Sequence, residues 1–126
     1  MNRVVFLLLF FPSMLWSQAN FENAEQLMES GKIDQARVLF ESVVKDNPTH
    51  IKAIERLGDI AGQNKSWDKA LLYYKKLKQL QPAEGNYYYK YGGALGMKAK
   101  EVNKFKALGM IDEIKSSFEK AIILDP

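Results

Sequence analysis

The sequence predicts an all-α protein built of stacked helical hairpins. Apolar residues recur every three or four positions along most of the chain, which is the spacing of amphipathic helices. Three landmarks also recur 34 residues apart, namely Ala36 with Ala70, Phe40 with Tyr74, and Pro48 with Pro82. A fixed period of this size is typical of helical repeats, in which each unit buries its apolar side against its neighbours.

The first 19 residues differ from the rest and predict a secretory signal peptide. A positive charge precedes an apolar run at residues 4–15, and small residues follow at Ser17 and Ala19, where a signal peptidase can cut. The alternatives are a membrane-spanning anchor and a first helix of the solenoid. An anchor needs about 20 apolar residues, and this run is shorter and contains Pro12. We expect cleavage after residue 17 or 19, a periplasmic or secreted protein, and no stable membrane anchor after cleavage.

Residues 51–84 form the most regular period and predict two helices that pack closely. Gly58 and Ala70 are small, so they allow two helix axes to approach to about 8 to 10 Å. The large ring of Tyr74 is expected to fill the space beside them. Pro82 ends the second helix because proline lacks the backbone N–H and clashes with the preceding turn.

The periods on either side match the pattern of residues 51–84 less completely. In residues 20–50, Asn20 and Asn23 replace the large apolar residues of the first helix. In the third period the closing proline comes 44 residues after the previous one, so about ten residues are inserted. Their apolar spacing stays helical, and we expect both helices to be lengthened, with the reversal between Lys100 and Lys106. A later break at Gly109 is the alternative.

The pattern of residues 51–84 closely resembles a tetratricopeptide repeat (TPR). The resemblance is carried by Leu57, Gly58, Trp67, Asp68, Ala70, Tyr74, Leu77 and Pro82. It extends less completely over residues 20–126, as three repeats at about 20–50, 51–84 and 85–126. It implies a right-handed solenoid of helical hairpins, preceded by the signal peptide.

The resemblance also implies a peptide-binding groove, because the first helix of each repeat lines the concave side of such a solenoid. The matching positions are Glu25 and Glu29 in the first repeat, Lys52, Glu55, Arg56 and Asp59 in the second, and Tyr89, Lys90, Gly93 and Met97 in the third. The family's clamp for a free carboxylate is absent except for Lys90, since the other clamp positions hold Phe21, Glu25, Arg56 and Asn86. A groove that is acidic at one end and carries an aromatic, a cation and a methionine at the other favours a mixed-charge or partly apolar segment.

A group of tyrosines and a group of glycines in the third period affect the shape of this groove. Tyr87, Tyr88 and Tyr91 are expected in the core, and Tyr89 is expected to be exposed. Gly92 occupies a position where the repeat has a small residue and two helices pack closely. The three glycines together are interpreted as tight helix packing. The alternative is that Gly93 and Gly96 face the groove and leave room for a peptide backbone.

The sequence offers little for catalysis. It has no cysteine and one histidine, His50, which lies in a predicted turn and is expected at the surface. Carboxylates four residues apart, Glu55 with Asp59 for example, are too few for a metal site and are interpreted as solvated. No phosphate-binding loop is present. We therefore expect neither an enzyme nor a bound cofactor or metal.

Positive charge is concentrated in residues 60–106, with 10 basic and 3 acidic residues. The simpler interpretation is a solvated helix surface; the alternative is a patch for an acidic partner, an anionic glycan or lipid headgroups. Nucleic acid is not an expected partner of an exported protein.

The sequence therefore predicts a non-catalytic interaction module for an unidentified protein or peptide in the cell envelope. The alternative is the N-terminal recognition region of a larger exported enzyme or receptor. The apolar face of the last helix includes Ile111, Ile114, Phe118, Ile122 and Leu124 and has only its own hairpin partner to cover it. We expect either further repeats beyond Pro126 or self-association through this face.

Overall fold

A computed structural model of the chain describes residues 12–126. Within this range the chain forms seven helices and no strand, which confirms the all-α prediction. The helices are α1 (Pro12–Glu29), α2 (Ile33–Asp46), α3 (Ile51–Gln63), α4 (Trp67–Leu80), α5 (Gly85–Glu101), α6 (Lys104–Leu108) and α7 (Ile111–Leu124). Residues 1–11 of the predicted signal peptide lie outside the described residues, and both predicted cleavage sites lie within α1.

The chain divides into two compact units, with the boundary between Ala53 and Ile54. In the first unit α1 packs against α2, and Phe40 is fully buried at their contact. The ring of Phe21 lies 5.7 Å from that of Phe40 and 4.8 Å from that of His50. His50, which the sequence places at the surface, is half-buried, and its Nδ1 accepts a hydrogen bond from the Ala53 N–H (3.1 Å). His50 thus caps the start of α3.

In the second unit α3 and α4 pack as the small residues predict. A Cβ placed on Gly58 would lie 2.6 Å from Cε1 of Tyr74, so only glycine fits this contact. Ala70 is fully buried, whereas Lys75 on the same helix is exposed. The predicted assignment of packed and outer faces is therefore confirmed.

The inserted residues lengthen only one helix of the third period. α5 has 17 residues against 13 in α3, but α7 has 14, the same number as α4. The expectation that both helices are lengthened is wrong, because the remaining inserted residues form the separate five-residue helix α6. The Asn103 side chain accepts a hydrogen bond from the Lys106 N–H (2.9 Å) and starts this helix anew. The chain breaks both at Val102–Asn103, within the predicted interval, and again at Gly109.

Candidate functional site

A lysine and two carboxylates of the second unit are joined by several short hydrogen bonds. The Lys90 Nζ on α5 lies 2.9 Å from Oε2 of Glu55 and 2.8 and 2.9 Å from the two carboxylate oxygens of Asp59, both on α3. The Tyr74 hydroxyl on α4 donates a 2.6 Å hydrogen bond to Asp59. We call these four residues the Lys90 cluster. It joins three helices through charge-assisted hydrogen bonds.

The surroundings fix the protonation of Lys90 and Tyr74 at neutral pH. Burial lowers the pKa of Lys90, but hydrogen bonds and charges from Asp59 and Glu55 outweigh burial and raise it above the usual value. Burial also raises the pKa of Tyr74 far above its usual value, and the hydrogen bond to Asp59 reinforces the effect. Lys90 therefore stays charged and Tyr74 neutral, so neither can act as a general base.

The structure changes the interpretation of three predicted groove residues. Glu55, Asp59 and Lys90 do lie together, but they bind one another instead of presenting separate charges to a ligand. Their side chains are only 18%, 23% and 22% exposed, so the carboxylates are not the solvated acids expected from the sequence. The missed signal was Lys90, which lies 31 residues after Asp59 and so in the corresponding helix of the next period.

The glycines of α5 have two different environments. A Cβ on Gly92 would lie 3.1 Å from Ser117, within the contact between α5 and α7. A Cβ on Gly93 or Gly96 would have no atom within 4 Å. Met97, which lies one helical turn after Gly93, is 39% exposed. We call Gly93, Gly96 and Met97 the open face of α5; these glycines are not required for helix packing.

The tyrosines of α5 are distributed as predicted, except that Tyr88 is only half-buried. Tyr87 and Tyr91 are buried, and Tyr89 is 62% exposed. The ring of Tyr89 lies 5.9 Å from that of Phe118 on α7, so it belongs to the end of the second unit as well as to the candidate groove.

The remaining groove candidates are divided between the two units. Glu25, Glu29 and Lys52 lie in the first unit, where Glu29 and Lys52 are exposed and Glu25 is half-buried. Arg56 is half-buried in the second unit. A continuous groove through both units stays a prediction.

Several lysines of the basic middle segment have partners within the second unit. The Nζ of Lys78 lies 3.5 Å from the ring centre of Tyr91, and burial lowers the pKa of this lysine. Lys98 binds Asp68 and, mainly through this hydrogen bond, lowers the pKa of that carboxyl. The segment therefore presents fewer free charges than the sequence suggests.

Alkaline pH should destabilise the protein through these groups. Burial followed by the Glu113 hydrogen bond raises the pKa of Tyr91 to about 12, and the pKa values of Tyr74 and Lys90 are raised as well. A group whose pKa is raised by folding stabilises the protein below its unfolded pKa, here 10.0 for tyrosine and 10.5 for lysine, and loses that contribution as pH rises. Lys78 opposes this trend because its pKa is lowered.

We therefore expect the free energy of unfolding to fall as pH rises from about 10 to 12. Denaturant unfolding followed by circular dichroism measures it. Tyr74→Phe should show a shallower decline because one of the shifted phenols is gone. A free energy of unfolding that stays constant over this interval would contradict the assignment.

The part of the chain described by the structure contains no group of three His, Cys, Asp or Glu side chains placed to hold a metal ion. In the same part, every helix is too short or too polar to span a membrane.

Comparisons with known proteins bear on the fold. No model of a protein family matches the sequence. The chain is 36% identical over 63 residues to a peroxisomal targeting signal receptor of Pichia angusta, a match that covers 49% of this chain and 11% of the receptor.

The structure is similar to that of a thermophilic TPR protein of Thermus thermophilus. The TM-score is 0.75 and the sequence identity 22%, and the match covers 87% of this chain and 57% of the other. The chain thus spans a little over half of the solved protein and about a tenth of the receptor. Together with the observed helical hairpins and the 34-residue period, this similarity shows that the chain has the tetratricopeptide-repeat fold.

Proposed function

We propose that the protein is a non-catalytic interaction module that binds a segment of another protein along the open face of α5. The observation that carries this proposal is the empty space over Gly93 and Gly96 beside the exposed Met97. Each glycine costs a helix about 1 kcal/mol relative to alanine. Because no neighbouring atom requires glycine at residues 93 and 96, a ligand that approaches the helix backbone explains their presence.

The Lys90 cluster indicates what the bound segment is like. Lys90, the cation of α5 that matches the family's carboxylate clamp, is already bound by two carboxylates of the protein. It therefore offers no free charge to the C-terminal carboxylate of a ligand. Further along α5 lie Met97, a flexible apolar side chain, and the uncovered Gly93 and Gly96. These features suit a partly apolar segment with small side chains. The similarity of the chain to a receptor for a targeting signal supports a role in peptide recognition.

Filling the open face should abolish partner binding without unfolding the protein. Gly93→Phe places a ring in open space, so we expect the protein to lose its partner in pull-downs from envelope extract quantified by mass spectrometry. Gly93→Ala should raise the free energy of unfolding by up to about 1 kcal/mol. Lys75→Phe on the outer face of α4 is the matched control and should retain the partner. Equal recovery of the partner by Gly93→Phe and Lys75→Phe would contradict the proposal.

We further propose that the protein acts in the cell envelope, on the basis of the apolar N-terminal run. Its mature form should begin at Gln18 or Asn20. Mass spectrometry of the protein purified from the envelope fraction measures the N-terminus directly. An intact Met1 in that fraction would contradict export through a cleaved signal peptide.

A further inference from the structure

A charged pocket lies within the second unit, between the start of α4 and the end of α5. Its volume is about 470 Å³, and every residue that lines it lies between residues 65 and 106. Four lysines and two carboxylates supply most of the lining, namely Lys65, Lys69, Lys98, Lys106, Asp68 and Glu101. The lysines therefore leave two positive charges in excess. We call this cavity the basic pocket.

The inserted residues of the third period build one side of the basic pocket. α5 has 17 residues against 13 in α3, so residues 98–101 extend beyond the length of α3. Lys98 and Glu101 lie in this extension, and Lys106 follows in α6. The other side is formed by Lys65 and Lys69, before and within the first turn of α4. The insertion thus adds two lysines to the two that precede it.

The charge of the basic pocket is not a general feature of the repeat. The residues that lie 34 positions before three of its lysines are all uncharged; they are Gly31, Gln35 and Asn64. A helix surface that only needed to be polar is therefore satisfied without lysine in the preceding period. The positive charge is confined to the period that also carries the insertion.

Lys65 has a backbone conformation that favours glycine. Its φ is 57°, and within residues 12–126 no other residue that carries a side chain has a positive φ. Its counterpart one period earlier is Gly31, with a φ of 77°, which is the usual residue where a helix ends in this way. A β-carbon makes the left-handed region unfavourable. A role for the ammonium group in the basic pocket explains why lysine is present there.

Most ammonium groups of the basic pocket lack an acidic partner. Lys98 donates a hydrogen bond to Asp68, and this bond, assisted by the charge of Lys106, lowers the pKa of that carboxyl. In the part of the chain that the structure describes, Lys65, Lys69 and Lys106 form no ion pair. The start of α4 adds to the positive potential, because the first N–H groups of a helix have no partner within it.

We propose that the basic pocket binds the phosphate group of an anionic ligand. A phosphate group carries about −1.5 to −2 charges at neutral pH and several acceptor oxygens, which suits ammonium donors with two charges in excess. A pocket of this volume also holds the remainder of a small molecule. Two sources share this chemistry, a soluble phosphate compound and a lipid headgroup. For the second source Phe105, which precedes Lys106 and is 89% exposed, is available to contact acyl chains.

Inorganic pyrophosphate is a suitable probe, because it carries phosphate groups without an organic part. Titration calorimetry at low ionic strength measures its binding to the protein. Lys69→Met combined with Lys106→Met should weaken binding at least about 10-fold. Lys75→Met combined with Lys120→Met removes the same charge from exposed positions outside the basic pocket, and should change binding less than about 2-fold. All four positions lie outside the open face of α5, so the test is separate from the function proposed above.

Two further variants test the lining in opposite directions. Lys65→Gly should weaken pyrophosphate binding and raise the midpoint of denaturant unfolding, because glycine adopts the left-handed conformation without a β-carbon. Glu101→Gln should strengthen binding, since it removes a negative charge from the lining. The fluorescence of Trp67, which also lines the basic pocket, reports occupancy directly in a Trp16→Phe variant, where it is the remaining tryptophan.

Vesicles distinguish the two sources of phosphate. If the source is a headgroup, the protein sediments with phosphatidylcholine vesicles that contain phosphatidic acid and not with phosphatidylcholine alone. Phe105→Ser then releases it from the vesicles without weakening pyrophosphate binding. Pyrophosphate binding without sedimentation on either vesicle indicates a soluble phosphate compound. Both results support the basic pocket as a phosphate site.

Three results would overturn the proposal. They are failure of pyrophosphate to bind at about 10 mM, full binding by the variant that lacks Lys69 and Lys106, and equal losses in both double variants. The last result would show that pyrophosphate responds to the net charge of the protein instead of to the basic pocket.

Discussion

Replacing Gly58 with leucine should lower the free energy of unfolding by about 3 kcal/mol, the upper end of the usual cost of overpacking. A Cβ at this position would lie 2.6 and 2.9 Å from two ring carbons of Tyr74. The ring has little freedom to move, because it is buried and its hydroxyl is hydrogen-bonded to Asp59. The substitution therefore forces α3 and α4 apart and also disturbs the Lys90 cluster.

Another glycine of α3 provides the control. A Cβ on Gly62 would have its nearest neighbour at 3.8 Å, which is ordinary contact. Gly62→Ala should therefore raise the free energy of unfolding by up to about 1 kcal/mol, whereas Gly58→Ala should lower it. Denaturant unfolding of the two alanine variants measures the difference. Equal midpoints would mean that the contact between α3 and α4 is assigned to the wrong face.

Removing the charge of Lys90 should have the second-largest effect. Lys90→Met leaves Glu55 and Asp59 facing each other, mostly buried and without their cation, so their charges repel and lack a partner. Breaking a fully buried pair costs about 3 to 5 kcal/mol, and because these groups keep some exposure we expect a loss of about 2 kcal/mol. Lys98→Met is the matched control and should cost little, since its partner Asp68 is 81% exposed.

A second substitution distinguishes whether Lys90→Met lowers the stability through unpaired charge or through lost packing. If unpaired carboxylates cause the loss, Lys90→Met combined with Glu55→Leu should recover part of the stability, because an apolar pair replaces an isolated charge. Denaturant unfolding of the single and double variants gives the coupling. Additive losses in the double variant would contradict the account of the Lys90 cluster.

The sequence was sufficient to predict most of the fold, because helix packing follows the repeat. The positions of Gly58, Ala70, Tyr87 and Tyr91 depend only on their place in the period, and the structure confirms each of them. The separate helix α6 was missed because its apolar spacing continues that of α5. Only the local cap at Asn103 interrupts the helix.

The candidate site was less predictable because it depends on which side chains meet. The family resemblance placed Glu55, Asp59 and Lys90 in a groove. It did not show that they bind one another, since Asp59 and Lys90 lie 31 residues apart along the chain. Pairing of this kind depends on how α3 and α5, the first helices of two consecutive repeats, are aligned side by side. That alignment is seen only in the structure. The open space at Gly93 likewise depends on the positions of neighbouring helices.

Site-specific photo-crosslinking tests the central claim, that the open face of α5 contacts a partner protein. A benzophenone side chain is placed at residue 93 or 97, or at the control position 75, in protein expressed in its own cells. We expect one crosslinked product of discrete mass from residues 93 and 97 and none from residue 75. Products of equal yield at all three positions, or none from residues 93 and 97, would contradict the claim.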